Sequence, residues 1–448
     1  MRNFLIIIFA AIFLSACEAL DPFSQRKAAP IITPEQEAAI DQRELVPPAA
    51  IKNNNSTAVL YGRNLETLKA NKKKVKVGLF FPFSGKNRDL GWSLYNSAVL
   101  SLFDNDLGHN IELVLIDSKD TPTEPAKSIK EIADKDIKIV VGPVFSSSVE
   151  AVSKDFMSKS ITAISLSNNQ QLSGKINNNG GVFIAGFLPE QQIDKVVNYA
   201  VDHNKINFAI LAPNNQYGST ISAMFKRIVK SRDGVMITSE FYDPSGSDLP
   251  KVVERLVNAS LVPAHLAEGG GNKVAKGTII KDSDRTYPQV ILIPESGKTL
   301  TKITALIKQF NTQERDYQLM GTGQWDDISS LSDINLRGAW FAAPQHEKFA
   351  NFERSYYQTY GKFPPRIASI AYDSIASIAE LIEKKGGQTP AVPDFTNYFS
   401  SQKNGFDGID GSFRFLPNGL VQRNLAMLQI DVNGFEIVDK PAEKFLKY

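Results

Sequence analysis

Residues 137–148 read IKIVVGPVFSSS. The apolar positions of 137–141 are all β-branched, as a pleated, buried strand favours. Gly142-Pro143 then stops the run. Three serines follow, and beyond them residues 149–157 carry apolar side chains at helical spacing. Strand, glycine turn and helix make one βα unit. The strand does not alternate apolar with polar residues, so both of its faces are expected to be covered.

The same succession extends in both directions. Apolar runs lie at 75–81, 111–116, 161–166, 208–211, 235–237 and 290–293. Amphipathic stretches at 90–103, 124–133, 191–201, 219–228 and 249–261 separate them. Strand-helix alternation of this kind predicts an α/β fold with parallel sheets covered on both sides. The 74–448 stretch is too long for one doubly wound sheet, so two Rossmann-like lobes are expected. Residues 182–188 (VFIAGFL) and 336–345 (LRGAWFAAPQ) are extended and apolar, and are read as strands crossing between lobes. Residues 408–429 read as a hairpin that crosses back, turned at Pro417-Asn418-Gly419. Three crossovers follow. The first lobe takes 74–186 with 344–407, and the second 187–338 with 412–438. Residues 262–287, with Gly269-Gly270-Gly271, read as an insertion in the second lobe.

The N-terminus has a different logic. Arg2 precedes a ten-residue apolar run at 4–13, half of what a helix needs to span a bilayer and the length of a secretory signal. Leu14-Ser15-Ala16-Cys17 follows and resembles the bacterial lipobox. The resemblance implies cleavage after residue 16 and acylation of Cys17, tethering the chain to the periplasmic face of a membrane. Glu18 in place of Asp favours the outer membrane by the same analogy. Residues 17–73, with Pro22, Pro30, Pro34, Pro47 and Pro48, read as a flexible linker. Such a linker has a reach of about 40 Å.

Composition excludes several classes. A net charge of +2 over 448 residues provides no field for nucleic acid. One cysteine allows neither a disulfide framework nor a thiolate metal cluster. His109, His203, His265 and His346 form no i, i+4 pair. Ser296-Gly297-Lys298-Thr299 imitates half a P-loop, but Leu292 stands where its first glycine is needed. No G-x-S-x-G elbow is present. Asp326-Asp327 reads as a turn or cap before a metal pair. No enzyme activity, cofactor or metal is expected.

Several markers resemble the leucine/isoleucine/valine-binding family of periplasmic binding proteins, the type 1 solute-binding fold, across 75–438. They are Pro82-Phe83-Ser84-Gly85 with Gly91, Gly142-Pro143 with the serine trio, Ile164-Ser165, Gln216-Tyr217-Gly218 and Phe241-Tyr242-Asp243 with Asp248. A second set resembles lipoproteins labelled penicillin-binding protein activators. It comprises 321–327 (GTGQWDD), 338–344 (GAWFAAP), 364–368 (PPRIA) and 411–415 (GSFRF) with Asn418-Gly419.

Ligands of parallel sheets bind at the carboxyl ends of strands. Ser84 and Gly85, Ser146, Ser147 and Ser148, and Ser167 and Asn168 follow such ends. Hydroxyls beside a helix N-terminus suit a carboxylate or other anion. Across the cleft the resemblance places Tyr217 as an aromatic contact, and Glu295 ends the 290–294 run. Amino-acid binders of the family carry acids that neutralise the ligand ammonium. Here those positions fall at Leu188 and Gly323, and the first-lobe aromatic falls at Leu90. Glu190, Glu295 and Asp326 are the acids left to replace them. The resemblance therefore implies a solute receptor for a small amino-acid-like or anionic ligand, partnered by an ABC permease. The alternative is an interaction protein that activates a penicillin-binding protein in peptidoglycan synthesis.

Overall fold

The computed structural model describes residues 74–105, 110–119, 125–177, 180–262, 267–268, 273–274, 281–401 and 405–445. The expected signal peptide, Cys17 and the linker lie outside the described residues.

The chain first builds a sheet from β1 (Val75–Phe81), β2 (Ile111–Asp117), β3 (Ile139–Val141), β4 (Thr162–Ser165), β5 (Ile176–Asn177) and β6 (Gly180–Ile184), in the order β2-β1-β3-β4-β6-β5. All pairings are parallel except β5 on β6 at the edge. Helices α1 (Arg88–Asp104), α2 (Pro125–Asp134) and α3 (Ser146–Ser158) connect the strands. β3, β4 and β6 are buried at every position, which is why their sequences show no polar face. At the end of β3 the chain turns through Gly142, whose φ is +109°. A Cβ at that position would lie 2.3 Å from the Phe80 carbonyl oxygen, so the turn needs glycine.

The chain then crosses at 185–188 and builds the second lobe. There α4 (Pro189–Asp202), β7 (Asn207–Pro213), α5 (Gln216–Ser231), β8 (Val235–Tyr242), α6 (Leu249–Val257), β9 (Ala267–Glu268), β10 (Lys273–Val274), β11 (Val290–Leu292), α7 (Gly297–Phe310), β12 (Gln318–Gly321) and β13 (Trp340–Ala343) follow. β9 and β10 pair with each other; the remainder of the expected insertion is largely outside the described residues. The chain returns to the first lobe as α8 (His346–Tyr360), α9 (Ala368–Lys384) and α10 (Val392–Ser401), followed by the three-stranded sheet β14 (Phe406–Gly408), β15 (Gly411–Phe415) and β16 (Val421–Arg423). It crosses a third time at 424–425. β17 (Ala426–Asp431) and β18 (Gly434–Asp439) then complete the second sheet, β18-β17-β13-β12-β11-β7-β8.

Three expected boundaries move. The two crossing strands are shorter than read: β6 and β13 each stay inside one sheet, and residues 185–188 and 344–345 make the passages. The 408–429 segment is not one hairpin. Gly419 turns β15 into β16, but β17 pairs antiparallel with β13 instead. Residues 412–423, expected in the second lobe, pack into the first. Phe415 lies 4.9 Å from Phe183 and 5.1 Å from Phe399, ring centre to ring centre, and Phe413 and Val421 join the same core. The alternating phenylalanines of GSFRF give β15 one aromatic face, and that face packs into the core of the first lobe.

Candidate ligand site between the lobes

A cavity of about 180 Å³ opens between the lobes at the carboxyl ends of both sheets. Asn168 and Arg366 reach it from the first lobe and Tyr217, Thr322, Gly323, Gln324 and Asp326 from the second, with Phe187 and Pro344 from the first two passages and Pro189 and Ala343 from the α4 and β13 ends beside them. Gln192 of α4 fills the floor, and its Oε1 accepts from the Gly323 N–H at 2.8 Å. A Cβ on Gly323 would stand 3.0 Å from the Gln192 amide, so an acid at this position would displace that contact.

The loop after β12 sets the polar wall. Thr322 caps the short turn at 323–325 by accepting from the Gln324 N–H. Gln324 Nε2 donates to the Tyr217 hydroxyl at 3.2 Å. Tyr217 sits in the first turn of α5, where Asn215 caps the helix by accepting from Gly218. Burial, opposed by a Thr322 hydrogen bond and reinforced by the Glu295 charge, pushes the Tyr217 hydroxyl up to about 12, so it stays a neutral donor and acceptor.

One cation dominates the site. Arg366 Nε donates to Asp326 Oδ2 at 3.2 Å, and its Nη1 donates to Asp410 Oδ1 at 2.5 Å. The guanidinium lies over the Phe349 ring at 4.0 Å and the Phe187 ring at 5.1 Å. Its Nη2 is buried and has no partner. The other oxygen of Asp326 hydrogen-bonds His346 Nε2. Burial opposes the Asp326 charge, but His346 and Arg366 together hold its carboxyl below the usual carboxylate range. Burial likewise opposes the Arg366 charge, and Asp410 and Asp326 outweigh it. Both oxygens of the cavity's one carboxylate are therefore spent on the protein, while its one guanidinium keeps a free donor.

Of the sequence-selected residues, the structure brings Asn168, Tyr217 and the replacement acid Asp326 to this cavity. Ser84 instead donates to Asp117 Oδ2 at 2.5 Å, while the Phe83 N–H donates to Oδ1 at 3.0 Å. Gly85, at φ +79°, makes the adjoining turn. Ser146 is the first residue of α3 and caps nothing, because Phe145 holds the cap position. Its hydroxyl pairs with that of Ser167 at 2.9 Å. Ser147 is exposed and Ser148 buried in the helix. Glu295 accepts from the Tyr242 hydroxyl and from the Ser296 N–H. Glu190 accepts from Gln170 and pairs with Arg227. Arg366 was legible only as part of the Pro364-Pro365-Arg366 run. Phe187 and Thr322 were legible only as members of the 182–188 run and the 321–327 marker, and Gln192 carried no sequence signal beyond its place in a helical stretch. Among the described residues no group of three His, Cys, Asp or Glu side chains is placed to hold a metal.

Two lobes of largely parallel sheet joined by three passages, with a small cavity between them, define a two-lobed binding fold. The chain belongs to the periplasmic binding protein family, whose profile matches residues 74–435. Solved structures agree at the level of fold. A putative branched-chain amino acid ABC transporter protein from Rhodospirillum rubrum superposes with a TM-score of 0.67 at 14% identity, covering 82% of this chain and 100% of that one. A leucine binding protein from Thermotoga maritima gives 0.57 at 16% identity, covering 82% and 99%. A Rhodopseudomonas palustris solute binding protein in complex with benzoate gives 0.59 at 14%, covering 84% and 98%. An uncharacterized protein of Rickettsia prowazekii is 24% identical over 275 residues, 60% of this chain and 67% of that protein.

Proposed function

We propose that this protein is a non-catalytic receptor of the cell envelope whose interlobe cavity takes a small carboxylate without an ammonium group. The observation that carries this reading is the unpartnered Nη2 of Arg366 beside an Asp326 whose oxygens are both occupied. A ligand ammonium would need a carboxylate, and a buried charge without one is costly. A ligand carboxylate instead finds the Arg366 donor, the Asn168 amide and the Tyr217 hydroxyl. The N-terminus of α4 opens at Pro189 beside the cavity, and that of α5 lies one residue before Tyr217. Both ends favour negative charge. At about 180 Å³ the cavity is below the 300–1,000 Å³ of drug-sized sites, which favours a compact acid. The benzoate carried by the R. palustris relative is of that size and charge.

Titration calorimetry of the full chain with benzoate, 4-hydroxybenzoate and leucine tests the proposal. Binding of an aromatic acid in preference to leucine supports it. Leucine binding more tightly than every carboxylate lacking an amine sinks it. An ABC permease is the partner such a receptor implies. The sequence at 14–17 supports a lipid anchor on Cys17, which mass spectrometry of the membrane-bound protein checks directly.

A second reading, activation of a penicillin-binding protein, is favoured by one feature. The 321–327 and 364–368 markers meet through Asp326 and Arg366, and Asp410, next to the 411–415 marker, completes the same network. Capture of a penicillin-binding protein by the full chain, lost in Arg366→Ala, is its test.

A further inference from the structure

A second cavity, of about 440 Å³, opens on the first lobe between α9 and the β14–β15 hairpin. It does not depend on the interlobe reading. The α9 residues Asp373, Ala376, Ser377, Glu380 and Glu383 line it at helical spacing, so they form one stripe along the helix face. Asp407 adds a fourth carboxylate, and Lys348 is the only cationic side chain in the lining. Lys348 is already engaged by Asp407 at the rim. Tyr372, Phe406 and Phe413 supply aromatic surface.

Acidic residues alone make no site. Asp373 adds the second observation. Its residue is 3% exposed, its Oδ1 accepts from the Ile409 N–H at 2.8 Å, and its Oδ2 is buried with no partner. The hairpin is shaped around that oxygen: a Cβ on Gly408 would stand 2.4 Å from Oδ2. An unpartnered carboxylate oxygen, covered by Gly408 beneath a cavity lined by acids and aromatic rings, is the complement of an organic cation. Carboxylates supply its counter-charge and rings attract it through their faces. A metal ion is not the fit, since no three of these carboxylates are grouped to ligate one.

We propose that this cavity binds an alkylammonium group, seated on Asp373 with its carbon chain along Phe406 and Phe413 and its outer end toward Glu383. Glu383 stands ten positions beyond Asp373 on α9, a rise of about 15 Å, so the stripe accommodates a chain of several methylenes. Glu380 is occupied by Tyr398 and Lys384 and contributes charge without being a direct ligand. The ammonium has two sources, a free amine or a lysine side chain of another protein, and both present the same chemistry to Asp373.

The test is calorimetric titration of the full chain with n-hexylammonium, a hexalysine peptide and hexanoate. Binding of n-hexylammonium identifies a free-amine site, and binding of hexalysine alone identifies a lysine side chain as the source. Either is expected to weaken at least tenfold in Asp373→Asn, while hexanoate does not bind. Ala376→Phe narrows the cavity from a half-exposed position of α9 and is expected to abolish binding even where Asp373→Asn folds poorly. Absence of binding by both cations overturns the proposal. So does binding that is indifferent to Asp373→Asn and Ala376→Phe.

Discussion

Arg366, two residues before α9 of the first lobe, donates to Asp326, which follows β12 of the second, at 3.2 Å. This contact joins the lobes across the cavity and is extended into the first lobe by Asp410, which is fully buried and also accepts from Ser369 Oγ at 2.6 Å. Replacing Arg366 by Met keeps the apolar packing over Phe349 but strands two buried carboxylates. Removing one partner of a buried pair costs about 3–5 kcal/mol. Arg366→Met is therefore expected to lower stability by that order in chemical denaturation, and to reduce carboxylate binding in the interlobe cavity at least tenfold. Arg366→Lys retains the charge without the fork, so it should recover much of the stability and little of the binding. Unchanged affinity in both variants would detach the cavity's ligand from Arg366.

The serines separate two roles. Ser84 is spent on Asp117 and Ser146 on Ser167, and neither side chain lines the interlobe cavity. Ser84→Ala and Ser146→Ala should each cost about 1 kcal/mol in denaturant unfolding, the worth of one hydrogen bond. Ligand affinity in calorimetry should stay within about twofold. A tenfold loss in either would assign that hydroxyl to the ligand after all.

Periodicity made the layers legible, and chemistry at the site was less so. The βα units at 75–103 and 137–158 could be read because a doubly covered strand is apolar throughout and its helix is not. Residues 346–401 form three helices whose periodicity is weak in the sequence; α9 is buried on most of its faces, which blurs the amphipathic signal. The Phe413 and Phe415 alternation announced a strand but not which lobe it would cover. The serine trio looked like a binding edge because strand ends and serines coincide there, yet Ser146 pairs with Ser167 inside the first lobe, Ser147 is exposed and Ser148 is buried in α3. Asp410 meets Arg366 and Asp373 only through tertiary packing, and no local pattern reports contacts across more than 30 positions.

Asp373 makes stability depend on pH in a direction opposite to a paired surface acid. Burial, and then the charge of Asp410 beside it, raises its carboxyl from the ordinary 3.8 to about 7. Arg423 of β16 opposes this, as do the N–H groups of Ile409 and Asp410, and Arg366 acts on the same cluster through Asp410. The folded chain therefore binds a proton between these values that the unfolded chain has released. Stability falls as pH rises from about 4 to about 7 and levels off above that, by linkage. Asp373→Asn cannot release a proton, so its stability relative to the parent should climb across the same window. Urea unfolding at pH 5 and pH 8 measures the difference. A relative stability that stays flat between those pH values contradicts the raised carboxyl.

Gly142 offers the sharpest test of the first sheet. Its φ of +109° is a conformation that side chains rarely adopt, and the Phe80 carbonyl blocks the Cβ position at 2.3 Å. The carbonyl cannot move freely, because Phe80 lies in β1 between β2 and β3. Gly142→Ala must then shift the backbone that carries the chain from β3 into α3. Strained φ and displaced backbone each cost about 1–3 kcal/mol, so a loss of about 3 kcal/mol or more is expected in thermal or denaturant unfolding. Gly297 is the control. It also has positive φ, at +57°, but nothing stands within 4 Å of its Cβ position. Gly297→Ala should show the conformational cost alone, about 1 kcal/mol. Equal losses at the two positions would mean that the Phe80 contact adds nothing, and that the β3 turn relaxes without disturbing β1.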